Sequence, residues 1–532
     1  MRAAPRARGA SASALALAVA VAAGLAVALA GLAAPSAAAA GEPSFSTQVR
    51  AAEARARRHL AATERAAGAR RFAYYTVGNA WKHTGPAGWA AGYVPGGLWS
   101  CYQATGRPWW RAKALARQAP IGATGVTPSS LNVGALYFPT YARAFKLTGD
   151  ARYRAKALRA ARNVAERYDP EVGAMLSRPK GDFNVIIDSL MKPQLLWWAA
   201  ANGGPPSLAN RARNHALTTA RDFVRPDGST YHIVYYDAET GAVLRRGQAS
   251  GYDDDSTWAR GQAWAILGFS AAYRETGDPE LLDAARAVSD WYLANLPADL
   301  VPYWDFGDPA IPDAPRDSSA AAIAASGLVD LALVDPDPER RSAYEAAATA
   351  ILESLMSPAY TSRRGDPSVL LHGTYLRSAG ISDRGLAFGD TFYLEALLRL
   401  RRLAPDAAPL PVARARASSG TAAAAVDGDL RTRWASRGRQ TLDVRLRRAQ
   451  QVGAVRVALY RGRDRAAVLR ILVSADGRHW RLARRTMTSG EAGGYETLTF
   501  APRAARWVRI ECSGTTRDSI NRICEVEVYP AL

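Results

Sequence analysis

The chain has 532 residues, 48% of them hydrophobic, with 14 Trp, 22 Tyr and a formal charge of +20. At roughly 150 residues per domain the length exceeds one ordinary core, and the apolar and aromatic content excludes a mainly disordered protein. Three cysteines are too few for a disulfide framework, and no Cys/His spacing resembles a metal site.

Arg2, Arg6 and Arg8 precede an almost uncharged apolar run from Ala10 to Ala34, and Ala38-Ala39-Ala40 stands before Gly41. This is the pattern of an export leader over residues 1–40 with a small-residue cleavage site. Small alanines make a weak membrane span and no second run of that length follows. The mature chain is therefore expected to be secreted, without a stable membrane anchor.

From residue 43 to 403 the apolar residues recur at the helical period. Tyr153, Ala157, Ala161 and Val164 form one stripe; Leu281, Ala285, Val288 and Tyr292 form another. Thr-Gly pairs at 105, 148 and 276 are 43 and 128 residues apart, the second spacing close to three times the first. That predicts repeated helical hairpins in which Gly ends one helix and Asp150 or Asp278 caps the next. Residues 404–411 read as a stiff Pro/Ala linker. Beyond it the period becomes two, as in Leu442, Val444, Leu446 and in Val508, Ile510, Cys512, which predicts a β-sandwich over residues 412–532. Cys101 reads as a core thiol. Cys512 and Cys524 lie in two late strands, either paired as a disulfide or as two buried thiols.

Positive charge is concentrated at the end of the chain, where Pro411 to Leu532 holds 23 Arg against 11 acidic residues. Outside a cell such a module suits an acidic polysaccharide before nucleic acid, although arginine spread over surfaces gives the same count.

Three segments carry candidate chemistry. In Phe183-Asn184-Val185-Ile186-Ile187-Asp188-Ser189-Leu190-Met191 a single carboxylate sits in an apolar stretch, where burial is expected to keep Asp188 protonated near neutral pH as a general acid; the competing role is a cap for a helix starting at Ser189. Tyr252 to Trp264 opens with capping residues and continues as a helix that places Arg260 and Trp264 on one face. A guanidinium beside an indole is a clamp for a carboxylated sugar, or equally an ion-paired Arg packed on a core Trp. His232 lies in a hairpin or loop among tyrosines and is either structural or functional.

These segments, with Gly88-Trp89 to Thr105-Gly106, Asp317-Ser318-Ser319-Ala320 to Leu328, and Gly385 to Leu400, resemble the unsaturated glucuronyl hydrolases of glycoside hydrolase family 88. The resemblance implies a six-hairpin (α/α)6 barrel with a central active site and no catalytic cofactor. It implies hydration of the C4=C5 enol ether of a terminal unsaturated uronic acid, with Asp188 protonating C4 and its conjugate base activating water. It places Arg260, Trp264 and His232 around the substrate, with Trp89 as a stacking partner. Two positions depart from the family: Asn132 stands in Leu131-Asn132-Val133-Gly134-Ala135 where a second aspartate is usual, and Ser250 where Gln is common. An amide still hydrogen-bonds but cannot ionise.

The last module resembles the discoidin, or coagulation factor 5/8 type C, jelly roll through Asp427-Gly428-Asp429, Trp434, Ser474-Ala475-Asp476-Gly477, Trp507-Val508-Arg509-Ile510 and Glu525-Val526-Glu527-Val528-Tyr529. That resemblance implies a structural calcium held by Asp427, Asp429, Thr432 and Glu525; the alternative is a turn with a solvated Asp429. The expected function is a secreted hydrolase of unsaturated glucuronyl oligosaccharides whose sandwich retains it on acidic polysaccharide, without nucleic acid as partner. The alternatives are a non-catalytic acidic-glycan-binding protein and an unsaturated rhamnogalacturonyl hydrolase on the same barrel.

Overall fold

The computed structural model describes residues 44–123, 132–362, 365–403, 405 and 407–530. The leader expected at 1–40, Leu131, and Ala404 and Asp406 of the expected linker lie outside the described residues.

The helical region is a closed ring. Its helices are α1 (Phe45–Ala66), α2 (Tyr93–Thr105), α3 (Pro108–Ala123), α4 (Val133–Tyr137), α5 (Arg143–Thr148), α6 (Ala151–Ala165), α7 (Met191–Ala201), α8 (Ser207–Phe223), α9 (Ala259–Thr276), α10 (Pro279–Ala294), α11 (Ser318–Val334), α12 (Pro338–Met356) and α13 (Ala387–Arg399). The inner wall is α2, α4–α5 joined by one π-helical turn, α7, α9, α11 and α13, and each inner helix has an outer partner. Closure comes from α13 packing on α2 while the first helix, α1, covers α13. Burial separates the two layers: α11 is buried on every face from Ser318 to Ala332, whereas α6 buries only Ala157, Ala160, Ala161, Val164 and Ala165. The expected punctuation holds. Gly106, Gly149 and Gly277 take φ of 59°, 72° and 68°, and Asp150 and Asp278 accept the N–H groups of Arg152 (2.9 Å) and Glu280 (3.1 Å).

The helical region is not helical throughout. Two short hairpins, β1 (Phe72–Val77) with β2 (Ala80–Thr84) and β3 (Tyr168–Asp169) with β4 (Ala174–Met175), accompany a three-stranded antiparallel sheet of β5 (Phe183–Ile186), β6 (Ile233–Tyr236) and β7 (Val243–Gly247). Strands of two to six residues are too brief to show alternation against a helical background. The helix expected to follow Tyr252 starts only at Ala259, because Asp253 and Asp254 accept backbone N–H groups within the preceding turns instead of capping it.

The C-terminal sandwich contains β8 (Val412–Ala417), β9 (Trp434–Arg437), β10 (Gln440–Leu459), β11 (Ala467–Ser474), β12 (Arg481–Met487), β13 (Tyr495–Thr515) and β14 (Ile520–Tyr529), in the order β12-β11-β13-β10-β14-β9 with β8 also on β10. The long strands β10 and β13 bend at irregular register and serve both leaves. Their residues 440–445 and 507–512 pair with each other and with β8 and β11, while residues 454–458 pair with 495–499 and with β14. Between the leaves lie Trp434, Leu442, Val444, Val455, Val508, Ile510 and Val526. Cys101, Cys512 and Cys524 are buried free thiols; Cys512 pairs across to β10 and β11 and Cys524 belongs to the other leaf.

Polar contacts fasten the sandwich to the ring. Glu53 of α1 is 4% exposed and pairs with Arg484 of β12 at 3.8 Å, Lys146 pairs with Glu491 at 2.9 Å, and Thr497 donates to the Leu403 carbonyl. Leu410 donates to the Val528 carbonyl, so the end of the expected linker lies on the sandwich instead of spanning open space.

Candidate active site

The inner helices and their loops surround a cavity of about 350 Å³, at the lower end of the range for ligand sites. Asp188, Asn132, Trp89, His232, Ser250, Arg260 and Trp264 all line it. The sheet β5–β6 does the central positioning. Ile186 pairs with Ile233, the Ile187 N–H donates to the His232 carbonyl (2.9 Å), and Asp188 follows on the 3-10 turn Ile187–Leu190 that leads into α7. That turn makes no side-chain cap, so the capping role for Asp188 is not realised.

His232 Nε2 lies 3.3 Å from Asp188 Oδ2, and His232 Nδ1 accepts the Ala249 N–H at 3.0 Å. An acceptor at Nδ1 puts the proton of the neutral ring on Nε2, facing the carboxylate. The Asp188–His232 contact is close but poorly aligned, and Asp188 Oδ2 has no well-formed hydrogen bond. Burial pushes the Asp188 pKa up. His232, and more distantly the charge of Arg260, outweigh burial and hold it below the usual carboxylate value. This corrects the expectation that burial alone keeps Asp188 protonated.

Beneath the turn, Ser189 bridges the Ile186 carbonyl (2.6 Å) and His215 Nε2 (3.2 Å), while His215 Nδ1 accepts the Met175 N–H. Burial and then the nearby Lys192 charge push His215 down to about 3, so its neutral ring is a fixed support.

Arg260 is more wall than open clamp. It is 2% exposed; Nη1 donates to Asp317 and to the Thr374 carbonyl, and Nη2 donates to the Tyr375 carbonyl at 2.6 Å. Three of its five donors are thus committed to holding the Thr374–Tyr375 segment over the cavity. Trp264, also 2% exposed, sits edge-on to Phe392 at 5.2 Å, and its indole N–H is buried without a partner. Trp89 donates to the Tyr74 hydroxyl at 2.8 Å and stacks at 18° on Tyr375, 6.1 Å between ring centroids. Asn132 precedes α4, and Gly134 brings that turn against α7: a Cβ at Gly134 would be 3.0 Å from Lys192 Cα.

Residues 64–358 match Glycosyl Hydrolase Family 88 and residues 412–526 match the F5/8 type C domain. The chain belongs to glycoside hydrolase family 88. It is 37% identical over 327 residues to an unsaturated glucuronyl hydrolase of Bacillus sp. (strain GL1), covering 59% of this chain and 86% of the relative. It is 36% identical over 327 residues to an unsaturated chondroitin disaccharide hydrolase of Streptococcus pyogenes serotype M1, covering 58% and 80% respectively. A crystal structure of an unsaturated glucuronyl hydrolase specific for heparin superposes with a TM-score of 0.64 at 30% identity, over 66% of this chain and 96% of that one.

Within this family 88 cavity, several lining residues were not singled out from the sequence. Lys192 is buried, donates to the Leu176 carbonyl at 3.2 Å, and is pushed down to about 7 by burial and by Arg167, against the pull of Asp188. Its spacing of four from Asp188 was the available signal. Trp258 supports both His232 (4.7 Å between ring centroids) and Arg260 (4.5 Å), and stands within the Tyr252 to Trp264 segment. Tyr375 and Arg178 arrive on irregular loops that carry no periodicity.

The acidic residues expected to hold calcium make other contacts. Asp427 accepts the Thr432 hydroxyl (2.8 Å), Asp429 pairs with Arg431 (2.9 Å), and Glu525 accepts the Gly428 N–H (2.8 Å). Among the described residues no three His, Cys, Asp or Glu side chains gather as a metal set. Calcium takes six to eight oxygens and accepts carbonyls as well as carboxylates; the Asp427 carboxylate, the Thr432 hydroxyl and the Asp429 carbonyl meet at one turn, which Glu525 reaches through the Gly428 N–H.

Proposed function

We propose that this protein is an exported hydrolase that removes a terminal 4,5-unsaturated glucuronic acid from polysaccharide-lyase products and is retained on acidic glycan by its sandwich. The observation that carries the reading is the Asp188 carboxylate, backed by His232 Nε2 at 3.3 Å, on the wall of a cavity lined by Trp89, Trp258 and Trp264. In this reading Asp188 protonates C4, positive character develops at C5, and water adds there with the conjugate base accepting its proton. The resulting hemiketal opens and releases the neighbouring sugar.

The lowered pKa of Asp188 makes the acid form depend on the substrate. A uronate bound beside Asp188 brings a second negative charge, which favours protonation of the carboxyl. Asn132 supplies no such charge, so substrate takes over what a neighbouring carboxylate would otherwise do. Lys192, with donors to spare, Arg178 and the two uncommitted donors of Arg260 are the cations on the cavity wall available to the uronate.

The test is the ultraviolet absorbance of the conjugated C4=C5 group in unsaturated chondroitin and hyaluronan disaccharides. Loss of absorbance with the protein but not with Asp188→Asn is the expected result. Binding without loss across a panel of lyase products returns the protein to a non-catalytic glycan binder, the outcome that Asn132 favours.

A further inference from the structure

The outward face of one sandwich leaf carries arginines in strand register. Arg414 of β8 stands opposite Arg445 of β10, which stands opposite Trp507 of β13; one step along, Arg416 faces Asp443 and Asp443 faces Arg509. The guanidiniums of Arg414, Arg416 and Arg445 lie 5.6, 4.6 and 5.6 Å from the Trp507 ring and Arg509 lies 4.0 Å from that of Trp480. Trp507 is only 7% exposed because these side chains and the turn at Gly477 cover it.

The charge on this face is not balanced. Asp443 is shared by Arg416 (3.1 Å) and Arg509 (2.6 Å). Among the described residues Arg414, Arg445, Arg447 and Arg506 have no ion pair, and the Nε groups of Arg445 and Arg506 are buried without an acceptor. The like charges of Arg506 and then, after burial, Arg414 pull the Arg445 pKa down. Folding has crowded cations that an anion would relieve.

The face is also at the free end of the leaf. Ala467, Thr515 and Met487 lie toward the ring, where Thr516 approaches Gly149 and Thr486 donates to the Gln103 carbonyl. Trp507, Ser474 and Arg481 occupy the opposite end of the same registers. Adjacent strands step by about 4.8 Å, so a linear chain crossing β13, β10 and β8 meets Trp507, then Arg445, then Arg414, at intervals close to the width of a sugar ring.

We infer that the β8–β10–β13 face, centred on Trp507 with Arg414, Arg445, Arg447 and Arg506, is a binding site for the carboxylate or sulfate groups of an acidic polysaccharide. Arginine forks pair bidentately with such groups. The choice of polysaccharide over other polyanions rests on the function proposed above; the site itself rests on the register and the unpaired charge.

The experiment measures retention of the full chain on immobilised chondroitin sulfate against sodium chloride concentration, with turnover of soluble unsaturated disaccharide followed in parallel. The variant R414S/R445S/R506S is compared with R437S/R439S/R463S, which removes the same charge elsewhere on the module. The first is expected to lower the slope of log affinity against log salt by about 2, three cations at roughly 0.7 each, with disaccharide turnover unchanged; the control keeps its slope. Equal loss in both variants, or none in the first, overturns the site. Tighter retention on double-stranded DNA than on chondroitin sulfate at the same salt overturns the choice of ligand. Salt-sensitive retention without disaccharide turnover leaves the site standing and removes the catalytic reading; turnover without retention does the reverse.

Discussion

Both units of the molecule place arginine over tryptophan, and the two pairs do opposite things. In the ring, Arg260 lies 4.5 Å from Trp258 and is sealed in by Asp317 and two carbonyls. On the sandwich, Arg414 and Arg445 each lie 5.6 Å from Trp507 and, among the described residues, have no carboxylate. The side-chain pair does not decide the role; the acceptors brought to it do. A buried guanidinium must be neutralised and hydrogen-bonded, which makes it a strut, whereas a guanidinium at the surface keeps its charge for a ligand.

Substitutions break this comparison in graded steps. Asp188→Asn removes the proposed acid and should reduce kcat by about 10²- to 10⁴-fold, read as the rate of absorbance loss, with oligosaccharide binding kept. Asp317→Asn leaves Arg260 buried with a neutral partner and should cost up to about 3–5 kcal/mol in denaturant unfolding; a loss as small as that from a sandwich arginine would mean Arg260 is not a strut. His232→Ala removes the group that holds the Asp188 pKa down. The pKa should rise, and since the acid form is lost as pH rises through it, the falling limb of kcat/KM should move to higher pH. An unmoved limb would show that Asp188 does not govern that ionisation. Trp264→Phe deletes an unpartnered indole N–H; if substrate uses it, KM should rise by one hydrogen bond, about 0.5–1.5 kcal/mol. Least affected is the stability of R414S/R445S/R506S, with each exchange expected within about 0.5 kcal/mol.

Much of the cavity was readable because its residues sit in runs with their own local grammar. Asp188 stands out as a lone carboxylate among Ile186, Ile187 and Leu190, and Arg260 and Trp264 are spaced to share a helix face. The protonation of Asp188 was not readable: burial was evident from its neighbours, but His232 reaches it through strand pairing 44 residues away, and that contact reverses the sign. The Asp429–Arg431 pair, two residues apart in the chain, was visible all along. The basic excess after Pro411 was evident as a count, but its concentration around Trp507 depended on which strands became neighbours.

By itself the sequence determined the helix ends at Gly106, Gly149 and Gly277, the helix starts at Asp150 and Asp278, where the period changes from 3.6 to two, and which residues were candidates for chemistry, because capping, left-handed glycine and side-chain periodicity act within a few residues. Tertiary structure alone decided that α13 closes the ring on α2, that Arg260 is spent on Asp317 and the Thr374–Tyr375 carbonyls, and that Arg445 is left without a counter-charge. Charge, solvation and hydrogen bonding depend on what lies within a few ångströms in space, and only the folded chain sets those neighbours.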